Sequence, residues 1–296
     1  MKILITGANG MLGHRLALEV ARRYETYVTQ YGQPVTIPGC QSFCFNLTNP
    51  TPIALRPDLI IHTAALTDVD YCEEHPAEAW NVNVTGTANL VKVFPKAKLV
   101  YISTDFVYDG ESGNYCEADH PNPINVYGKT KHTAESFLPE GSLVIRTCIF
   151  GHNLPQTKTS LPEKLIDQLK TNQHVNLFHD LYSTPIYTGL FTRVLLELIA
   201  RNATGIWNLA GSERVSKYEL GLKLAEVYGL NSVQITPGSA RIFPFKASRP
   251  LDVSLNTTKI SVFLGQATPS ITDSLIAFKE EQDRGYQKAI TRTKSG

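Results

Sequence analysis

The sequence predicts an α/β protein with a Rossmann-type, doubly wound parallel sheet, and two features of its first half carry that prediction. Short runs of branched apolar residues alternate with longer stretches of helical periodicity, which is typical of a parallel sheet with crossover helices. Three glycines stand between the first apolar run and the first helical stretch. At 296 residues the chain is long enough for one large domain and a smaller appendage.

Four segments predict strands because each is almost continuously apolar, as buried parallel strands are. They span residues Lys2–Thr6, 58–62, 98–103 and 142–147. Between them, Leu12, Leu16 and Val20 form an apolar stripe that predicts the first helix. Residues 76–93, with Pro76 at their start, predict a second helix of crossover length.

The second half of the chain changes character after Gly151, where a polar stretch precedes further helical segments. Helices are expected near 162–170 and 190–200, from a Ser216 and Glu219 capping box to Gly229, and over 272–278. We therefore expect an NAD(P)-binding domain over residues 1–150, to which segments near 185–212 return. A smaller α/β substrate-binding domain is expected mainly over residues 151–296.

Charge and cysteine usage narrow the class of protein. The formal net charge is +1, with acids and bases spread along the chain, so neither nucleic acid nor an anionic membrane is expected as a partner. Five cysteines without a paired framework favour a reducing compartment and a cytoplasmic location. No apolar run is long enough to span a bilayer, and no CxxC pair indicates a metal site.

The glycine triplet has the spacing GxxGxxG, at Gly7, Gly10 and Gly13. Between a strand and a helix, glycines permit positive φ and a close approach of the backbone to phosphate oxygens at the helix N-terminus. The triplet therefore predicts dinucleotide binding. The alternative is an ordinary tight turn between strand and helix.

The choice between NADH and NADPH depends on the region about 20 residues further on, where an acidic residue reads the ribose of NAD. No acidic residue lies between Thr26 and Phe45, which makes strict NAD dependence doubtful and favours NADPH over NADH. A 2'-phosphate would then need Arg15, Arg22 or Arg23 from the first helix. Asn46 and Leu47 are expected near the adenine, or else simply end a strand.

Tyr127 and Lys131 form a YxxxK motif, which places both side chains on one face of a helix. An ammonium beside a phenol lowers its pKa and makes tyrosine a usable proton donor at neutral pH. Thr104 stands at the carboxyl end of a predicted strand, where open α/β sheets bind ligands, and Ser103 would face the other side. The alternative for YxxxK is a solvated helix face.

Several segments resemble the dTDP-4-dehydrorhamnose reductase family of extended short-chain dehydrogenases. They are STDFVYDG from Ser103, NPINVYGKTKHTAE from Asn122, HTAALTDVD from His62, NVNVTGTANL from Asn81, STPIYTG from Ser183, GIWNLAGSERVSKYE from Gly205 and ASRPLDVSL from Ala247. The resemblance therefore covers nearly the whole chain. It implies NAD(P)H-dependent reduction of a 4-keto group on a dTDP-deoxyhexose, converting dTDP-4-dehydro-L-rhamnose to dTDP-L-rhamnose.

The resemblance also implies roles for individual residues. Thr104, Tyr127 and Lys131 would be catalytic, with Lys131 also gripping the nicotinamide ribose. The sugar pocket would comprise Thr67, Asp68, Val69, Thr104, Asp105 and Phe106, and Arg249 would meet the diphosphate unless it forms a surface salt bridge. The cofactor-binding set would be Gly7, Asn9, Gly10, Met11, Leu12, Gly13, Asn46, Leu47, Ala64, Ala65, Tyr127 and Lys131.

Two departures from the family pattern bear on the substrate. The block RTCIFG, residues 146–151, lacks the tryptophan usual there and is one residue shorter, so a platform for sugar stacking is expected to be missing. Asp252 stands where an asparagine is common. Phe106 replaces the glutamate that sugar-nucleotide dehydratases use, which argues against dehydration.

Two other functions stay open at this level. The chain also resembles the regulatory subunit of methionine adenosyltransferase, which binds a dinucleotide and a partner enzyme, so a non-catalytic role is the first alternative. A sugar-nucleotide epimerase, which retains its NAD through turnover, is the second. Family members include monomers and dimers, and a homodimer is compatible with the resemblance.

Overall fold

A seven-stranded, all-parallel sheet forms the centre of the computed structural model, which describes residues 1–31, 35–51, 53–153 and 159–285. The strand order is β11-β6-β5-β4-β1-β2-β3. In chain order these strands are β1 Lys2–Thr6, β2 Glu25–Gln30, β3 Cys40–Cys44, β4 Leu59–His62, β5 Lys98–Ile102, β6 Leu143–Arg146 and β11 Gly205–Asn208. The predicted α/β class with a doubly wound parallel sheet is confirmed.

All four predicted strands are present as β1, β4, β5 and β6, and their residues are buried almost throughout. Strands β2, β3 and β11 lacked a clear apolar run in the sequence. Strand β3, CQSFC, lies at the edge of the sheet and is largely exposed, so it needs few apolar side chains. Strand β11 pairs with β6 at the opposite edge, with Trp207 opposite Ile145.

Helices cover both faces of the sheet. Helix α1, Met11–Val20, and helix α7, Thr188–Ala200, pack together over one face, where Leu16 and Leu195 are fully buried with Ile5. The other face buries Leu4 and Ile60 beneath Leu90 of the helical segment before β5. The strand order reverses at β1, which pairs in parallel with β2 on one side and β4 on the other.

The predicted crossover helix over residues 76–93 is one continuous helical segment with a change of pitch. It begins as α3, Pro76–Trp80, widens to a π-helical turn over Asn81–Thr85, and ends as α4, Gly86–Val93. A preceding short helix, α2, Val69–Glu74, begins at its N-cap Asp68, whose carboxylate accepts from Tyr71 N at 3.1 Å. The π turn places Asn83 against helix α5, Val126–Glu135.

The second half of the chain builds a separate apolar cluster. Helices α6, Leu161–Lys170, α8, Lys217–Tyr228, and α10, Ile271–Asp283, bury Leu165, Leu224 and Leu275 against one another. A capping box opens each of these helices. Three two-stranded sheets complete this part, pairing β7 Ile149–Phe150 with β10 Ile186–Tyr187, β8 Val175–Phe178 with β13 Ile235–Gly238, and β9 Tyr182–Ser183 with β12 Val215–Ser216.

Several segments of the second half pack on the large sheet. Phe191 and Leu209 belong to the core under α1, together with Ile260 and Leu264 of helix α9, Thr258–Leu264. The division into domains at residue 150, with residues 185–212 returning to the first, stays a prediction. None of the helices in the described ranges is both long and apolar enough to cross a bilayer.

Candidate active site

A cleft of about 910 Å³ runs along the carboxyl ends of the central strands. Open α/β sheets bind ligands at this edge, at the point where the strand order reverses. The loops after β1, β4 and β5 and helix α5 provide the cleft walls. The lining includes nearly all of the sequence-predicted site residues, namely Gly7, Asn9, Gly10, Met11, Leu12, Gly13, Asn46, Leu47, Ala64, Ala65, Thr67, Val69, Thr104, Asp105, Phe106, Tyr127 and Lys131.

Gly7 and Gly13 of the glycine loop have no room for a Cβ atom. Gly7 adopts a φ of +72°, and a Cβ there would lie 2.8 Å from the Ala64 backbone. A Cβ on Gly13 would lie 2.3 Å from the Gly7 carbonyl oxygen. Helix α1 begins after Gly10 without a side-chain cap, so its first N–H groups face the cleft with no capping side chain. This cradle fits the pyrophosphate of a dinucleotide.

The predicted source of a 2'-phosphate contact is wrong. Arg15 is held by an ion pair with Glu281, and Arg22 pairs with Glu19. Arg22 and Arg23 follow the end of helix α1, so they lie at the amino ends of the strands, opposite the cleft. Helix direction therefore separates Arg22 and Arg23 from a cofactor bound at the helix N-terminus, and Glu281 already neutralises Arg15.

Asn46 and Leu47 lie in the cleft wall beyond strand β3. The side-chain Oδ1 of Asn46 accepts from the backbone N of Thr48 at 2.9 Å and from its hydroxyl at 2.8 Å. This local turn orients the amide of Asn46. Gln30 and Tyr31, at the end of β2, line the same part of the cleft and were not among the predicted site residues.

The two hydroxyl residues that follow β5 have different partners. Ser103 also contributes to the cleft lining, but its Oγ donates to Glu135 Oε1 at 2.6 Å, so this hydroxyl is already engaged within the protein. Thr104 lines the cleft, where its hydroxyl donates to Asp105 Oδ1 at 3.0 Å and accepts from Phe106 N at 3.2 Å. The geometry therefore favours Thr104 over Ser103 for contact with a ligand.

Helix α5 brings Tyr127 to this strand end. Its N-cap, Asn125, accepts from Gly128 N at 2.8 Å, so the helix begins immediately before Tyr127. A Cβ on Gly128 would lie 2.1 Å from the Phe106 carbonyl oxygen, which shows how closely the helix contacts the turn after β5. The Thr104 hydroxyl is consequently near enough to the Tyr127 phenol to shift its pKa.

The expected lowering of the Tyr127 pKa is wrong for the free protein. Burial raises the pKa of the phenol above its ordinary value, and the Thr104 hydroxyl offsets only part of this. Burial also lowers the pKa of Lys131 to about 7. Desolvation penalises both charged forms, so at pH 7 the cleft holds a protonated phenol and a lysine that exchanges readily between its charged and neutral forms.

Lys131 is 4% exposed, and its ammonium lies 4.1 Å from the centroid of the Tyr101 ring. Glu135, one turn further along α5, partly offsets the lowering of the Lys131 pKa. That carboxylate is itself held by Arg146, whose Nη2 donates to Oε2 at 2.7 Å. The Lys131 side chain is therefore fixed against strand β5 and points along one wall of the cleft.

Two residues that the resemblance assigned to the substrate do not line the cleft. The Asp68 carboxylate caps helix α2, although its neighbours Thr67 and Val69 line the cleft. Arg249 forms an ion pair with Asp70 at 2.8 Å and lies over the Phe245 ring, with its guanidinium 4.8 Å from the centroid. Phe106 packs edge-on to Tyr127, with ring centroids 6.0 Å apart.

Asn83 is a supporting residue that the sequence did not single out. Its Oδ1 accepts from Leu66 N at 2.7 Å, and its Nδ2 donates to Leu66 O at 3.0 Å and Thr130 Oγ1 at 2.9 Å. Asn83 thus joins the loop before Thr67 to the helix that carries Tyr127. The NVNV run contained this residue, but only the π turn makes its orientation visible.

No group of three or more metal-ligating side chains occurs within residues 1–31, 35–51, 53–153 and 159–285. The predicted cleft residues instead combine a phosphate cradle, a hydroxyl, a protonated phenol and a buried lysine. Together these groups can hold an elongated dinucleotide and protonate an oxygen placed beside Tyr127.

Comparison with known proteins identifies the family. A model described as the RmlD substrate binding domain matches residues 1–283. The β subunit of methionine adenosyltransferase 2 from Xenopus laevis is 31% identical over 286 residues, covering 90% of this chain and 84% of that protein. A probable low-salt glycan biosynthesis reductase from Haloferax volcanii is 28% identical, covering 94% of this chain and 97% of its own.

Solved structures agree with this assignment. A hypothetical dTDP-4-dehydrorhamnose reductase from Sulfolobus tokodaii shares 34% identity with a TM-score of 0.80, covering 91% of this chain and 97% of that one. A dTDP-4-dehydrorhamnose reductase from Bacillus anthracis, solved with NADP, shares 26% identity with a TM-score of 0.81, covering 95% and 99% of the two chains. The chain therefore belongs to the RmlD-like family of dTDP-4-dehydrorhamnose reductases.

Proposed function

We propose that the protein is an NAD(P)H-dependent reductase of the 4-keto group of a nucleotide-linked deoxysugar, with dTDP-4-dehydro-L-rhamnose as substrate and dTDP-L-rhamnose as product. The observation that carries the proposal is the convergence of Thr104, Tyr127 and Lys131 on a cleft that begins at the glycine loop. The Bacillus anthracis relative, solved with NADP, supports the same cofactor class here.

The cofactor site fits the residues present. Gly7, Gly10 and Gly13 leave space for phosphate oxygens, and Lys131 lies where it can reach a ribose hydroxyl. A reduced nicotinamide bound there supplies hydride to the sugar carbon. Because the structure contains no acidic reader at the end of β2 among the described residues, we propose NADPH in preference to NADH.

The proposed proton chemistry belongs to Thr104 and Tyr127. The Thr104 hydroxyl donates a hydrogen bond to the keto oxygen in place of its present bond to Asp105. Tyr127, kept protonated by burial, donates its proton to the oxygen as negative charge develops there. Protonated Lys131 stabilises the phenolate, and the phenolate regains its proton from solvent to complete the cycle.

The test is oxidation of NADPH or NADH by the purified protein with enzymatically prepared dTDP-4-dehydrorhamnose, followed by absorbance of the reduced nicotinamide. We expect oxidation by the wild type and a loss of about 10² to 10⁴-fold in Tyr127→Phe, which keeps the ring and lacks the proton. Stoichiometric release of oxidised cofactor would exclude an epimerase, which retains its NAD.

A second candidate is a non-catalytic regulatory subunit, because a β subunit of methionine adenosyltransferase 2 is 31% identical over most of the chain. The absence of tryptophan from residues 146–151 also favours it. Dinucleotide binding without oxidation of either cofactor, by wild type and Tyr127→Phe alike, would support this candidate. Cytoplasmic location and a homodimer remain proposals alongside both functions.

A further inference from the structure

A side chamber of about 270 Å³ opens from the cleft between the end of the sheet and the start of helix α6. The chamber and the cleft share Met11, Cys148, Ile149 and Asn153 as lining residues, so a ligand in one can extend into the other. The remaining walls are mostly apolar, including Leu161 and Leu220.

Lys217, the first residue of helix α8, is the charged residue among those that line the side chamber. Across the described ranges its ammonium has neither an ion-pair partner nor a hydrogen-bond acceptor. Arg249 and Arg214, by contrast, are paired with Asp70 and Asp252. Lys217 therefore lies at the side chamber as a half-buried cation without a counter-ion in contact among the described residues.

Asp105 gives an independent indication that a polar ligand belongs here. It is 3% exposed and lines the cleft, and among the described residues its Oδ2 atom accepts no close hydrogen bond, although the neighbouring Cys148 thiol lowers its pKa. A buried carboxyl oxygen without a partner costs free energy unless a ligand completes its hydrogen bonding. Asp105 accepts from Thr104 and interacts with Cys148, which lines both cavities, so the opening to the side chamber lies at the reacting end of the cleft.

Lys217 and Asp105 are close enough to interact electrostatically. The charge of Lys217 is close enough to lower the pKa of both Asp105 and the Cys148 thiol, although burial raises each pKa overall. Cys148 lies between cleft and side chamber and lines both. An anionic group that enters past Cys148 would meet Lys217, while a hydroxyl on the same ligand could donate to Asp105 Oδ2.

We propose that the side chamber holds an anionic group of the substrate, either the diphosphate of the sugar nucleotide or a carboxylate on its sugar, with Lys217 as counter-ion. The inference rests on the proposed function for the identity of the ligand as a sugar nucleotide. A charge-assisted hydrogen bond from a partly desolvated lysine is strong enough to select such a ligand.

The experiment measures binding by calorimetry with saturating NADP⁺ and three probes, dTDP, dTDP-glucose and dTDP-glucuronic acid. Lys217→Met removes the charge and keeps the length, whereas Lys217→Arg keeps the charge. Lys223→Met is the matched control, because Lys223 lies on the same helix and pairs with Glu213 instead of lining either cavity. Thermal melting of each variant establishes that it is folded.

We expect Lys217→Met to weaken binding about tenfold or more, as loss of one charged hydrogen bond implies. Equal weakening of all three probes assigns the diphosphate to Lys217. Weakening of dTDP-glucuronic acid alone assigns the sugar carboxylate. Lys217→Arg should keep most of the affinity, and Lys223→Met should bind as the wild type does.

Two results overturn the inference, namely Lys217→Met with wild-type affinity for all three probes, or a wild type that binds none of them. Its failure is separable from failure of the proposed function, since binding here requires no turnover. NADPH oxidation with unaltered binding in Lys217→Met would leave the reductase and remove the anion site. Charge-dependent binding without oxidation would leave the anion site and remove the reductase.

Discussion

Ser103 and Thr104 are adjacent residues whose hydroxyl groups have different partners, Glu135 and Asp105. Substituting each in turn tests which hydroxyl contacts the substrate. Thr104→Val removes a donor from the cleft at nearly constant volume, and we expect kcat to fall about 10²-fold, as for loss of one donor to a developing oxyanion. Ser103→Ala removes the hydrogen bond to Glu135 and should cost about 1 kcal/mol of stability. Turnover assays and urea unfolding of both variants provide the comparison.

The comparison shows which of the two hydroxyl residues that follow strand β5 contributes to turnover. A larger loss of turnover in Ser103→Ala than in Thr104→Val would contradict the proposed donor role of Thr104. Because the two residues are adjacent in the chain, the comparison tests which of the two hydroxyl groups contacts the substrate.

Lys131 makes a prediction about pH. Its pKa is about 7 in the folded protein against an ordinary value of 10.5, because burial penalises the ammonium. The folded state thus bears the full penalty below about pH 7, and the penalty declines as pH rises towards 10.5 because the unfolded chain then binds more protons than the folded one. Lys131→Met should therefore raise the melting temperature, and by more at pH 6 than at pH 9.

Calorimetric melting of wild type and Lys131→Met without cofactor, across that pH range, checks the sign. An equal gain at both pH values would mean that the ammonium is not desolvated in the folded protein. The measurement concerns only the buried charge, so it stands apart from any effect of the substitution on turnover.

At the scale of elements, the glycine loop depends on close contact between helix α1 and strand β1. A Cβ on Gly13 would lie 2.3 Å from Gly7 O, whereas a Cβ on Gly10 would lie 3.3 Å from the same atom. We expect Gly13→Ala to cost about 1 to 3 kcal/mol through overpacking and to weaken NADPH binding at least tenfold. Gly10→Ala is the milder matched variant.

Fluorescence titration with NADPH and urea unfolding measure the two effects separately. Gly13→Ala with the affinity and stability of the wild type would show that the helix can move away from the strand freely. Such a result would remove close packing as the reason for glycine at this position.

Helix α5 illustrates how much of the site depends on packing between elements. The YxxxK spacing indicated that Tyr127 and Lys131 share a face, and any helix delivers that relation. The contact of Gly128 with Phe106 O brings that face to Thr104, and the π turn at Asn83 supports it from the other side. Neither contact has a periodic signature in sequence.

At the scale of the whole molecule, Glu281 links the last helix to the glycine-loop helix. Its carboxylate accepts from Tyr187 OH at 2.6 Å and pairs with Arg15 of helix α1. Burial alone would raise the Glu281 pKa, but these hydrogen bonds outweigh it and lower the pKa below its ordinary 4.5. Glu281 therefore stabilises the fold above pH 4.5, and the contribution is lost as pH falls through the lowered pKa.

Glu281→Gln should destabilise the protein by about 1 to 3 kcal/mol at pH 7 because it weakens a charge-assisted pair. The difference from wild type should shrink at acid pH. Urea unfolding at pH 7 and pH 4 measures it, and a pH-independent difference would contradict the assignment to the ionised carboxylate. The expected coupling of the two halves also predicts one cooperative unfolding transition.

The fold class, four strands, the glycine loop and the three proposed catalytic residues can be predicted from the sequence because each has a local signature. Continuous apolar runs mark buried strands, and a triplet of glycines marks a backbone that must approach another group closely. The exposed edge strand β3 and the distant strand β11 were not predicted, because edge strands are less buried and show no continuous apolar run.

The tertiary structure decided what depends on contacts between segments far apart in the chain. Arg249 pairs with Asp70, far from it in the chain, Arg15 pairs with Glu281, and Lys217 lies close enough to Asp105 to affect its pKa. The sign of the Tyr127 pKa shift was also decided there, because desolvation depends on how completely the surrounding elements exclude water. Local spacing determined which groups are available, and packing determined their partners and their charge.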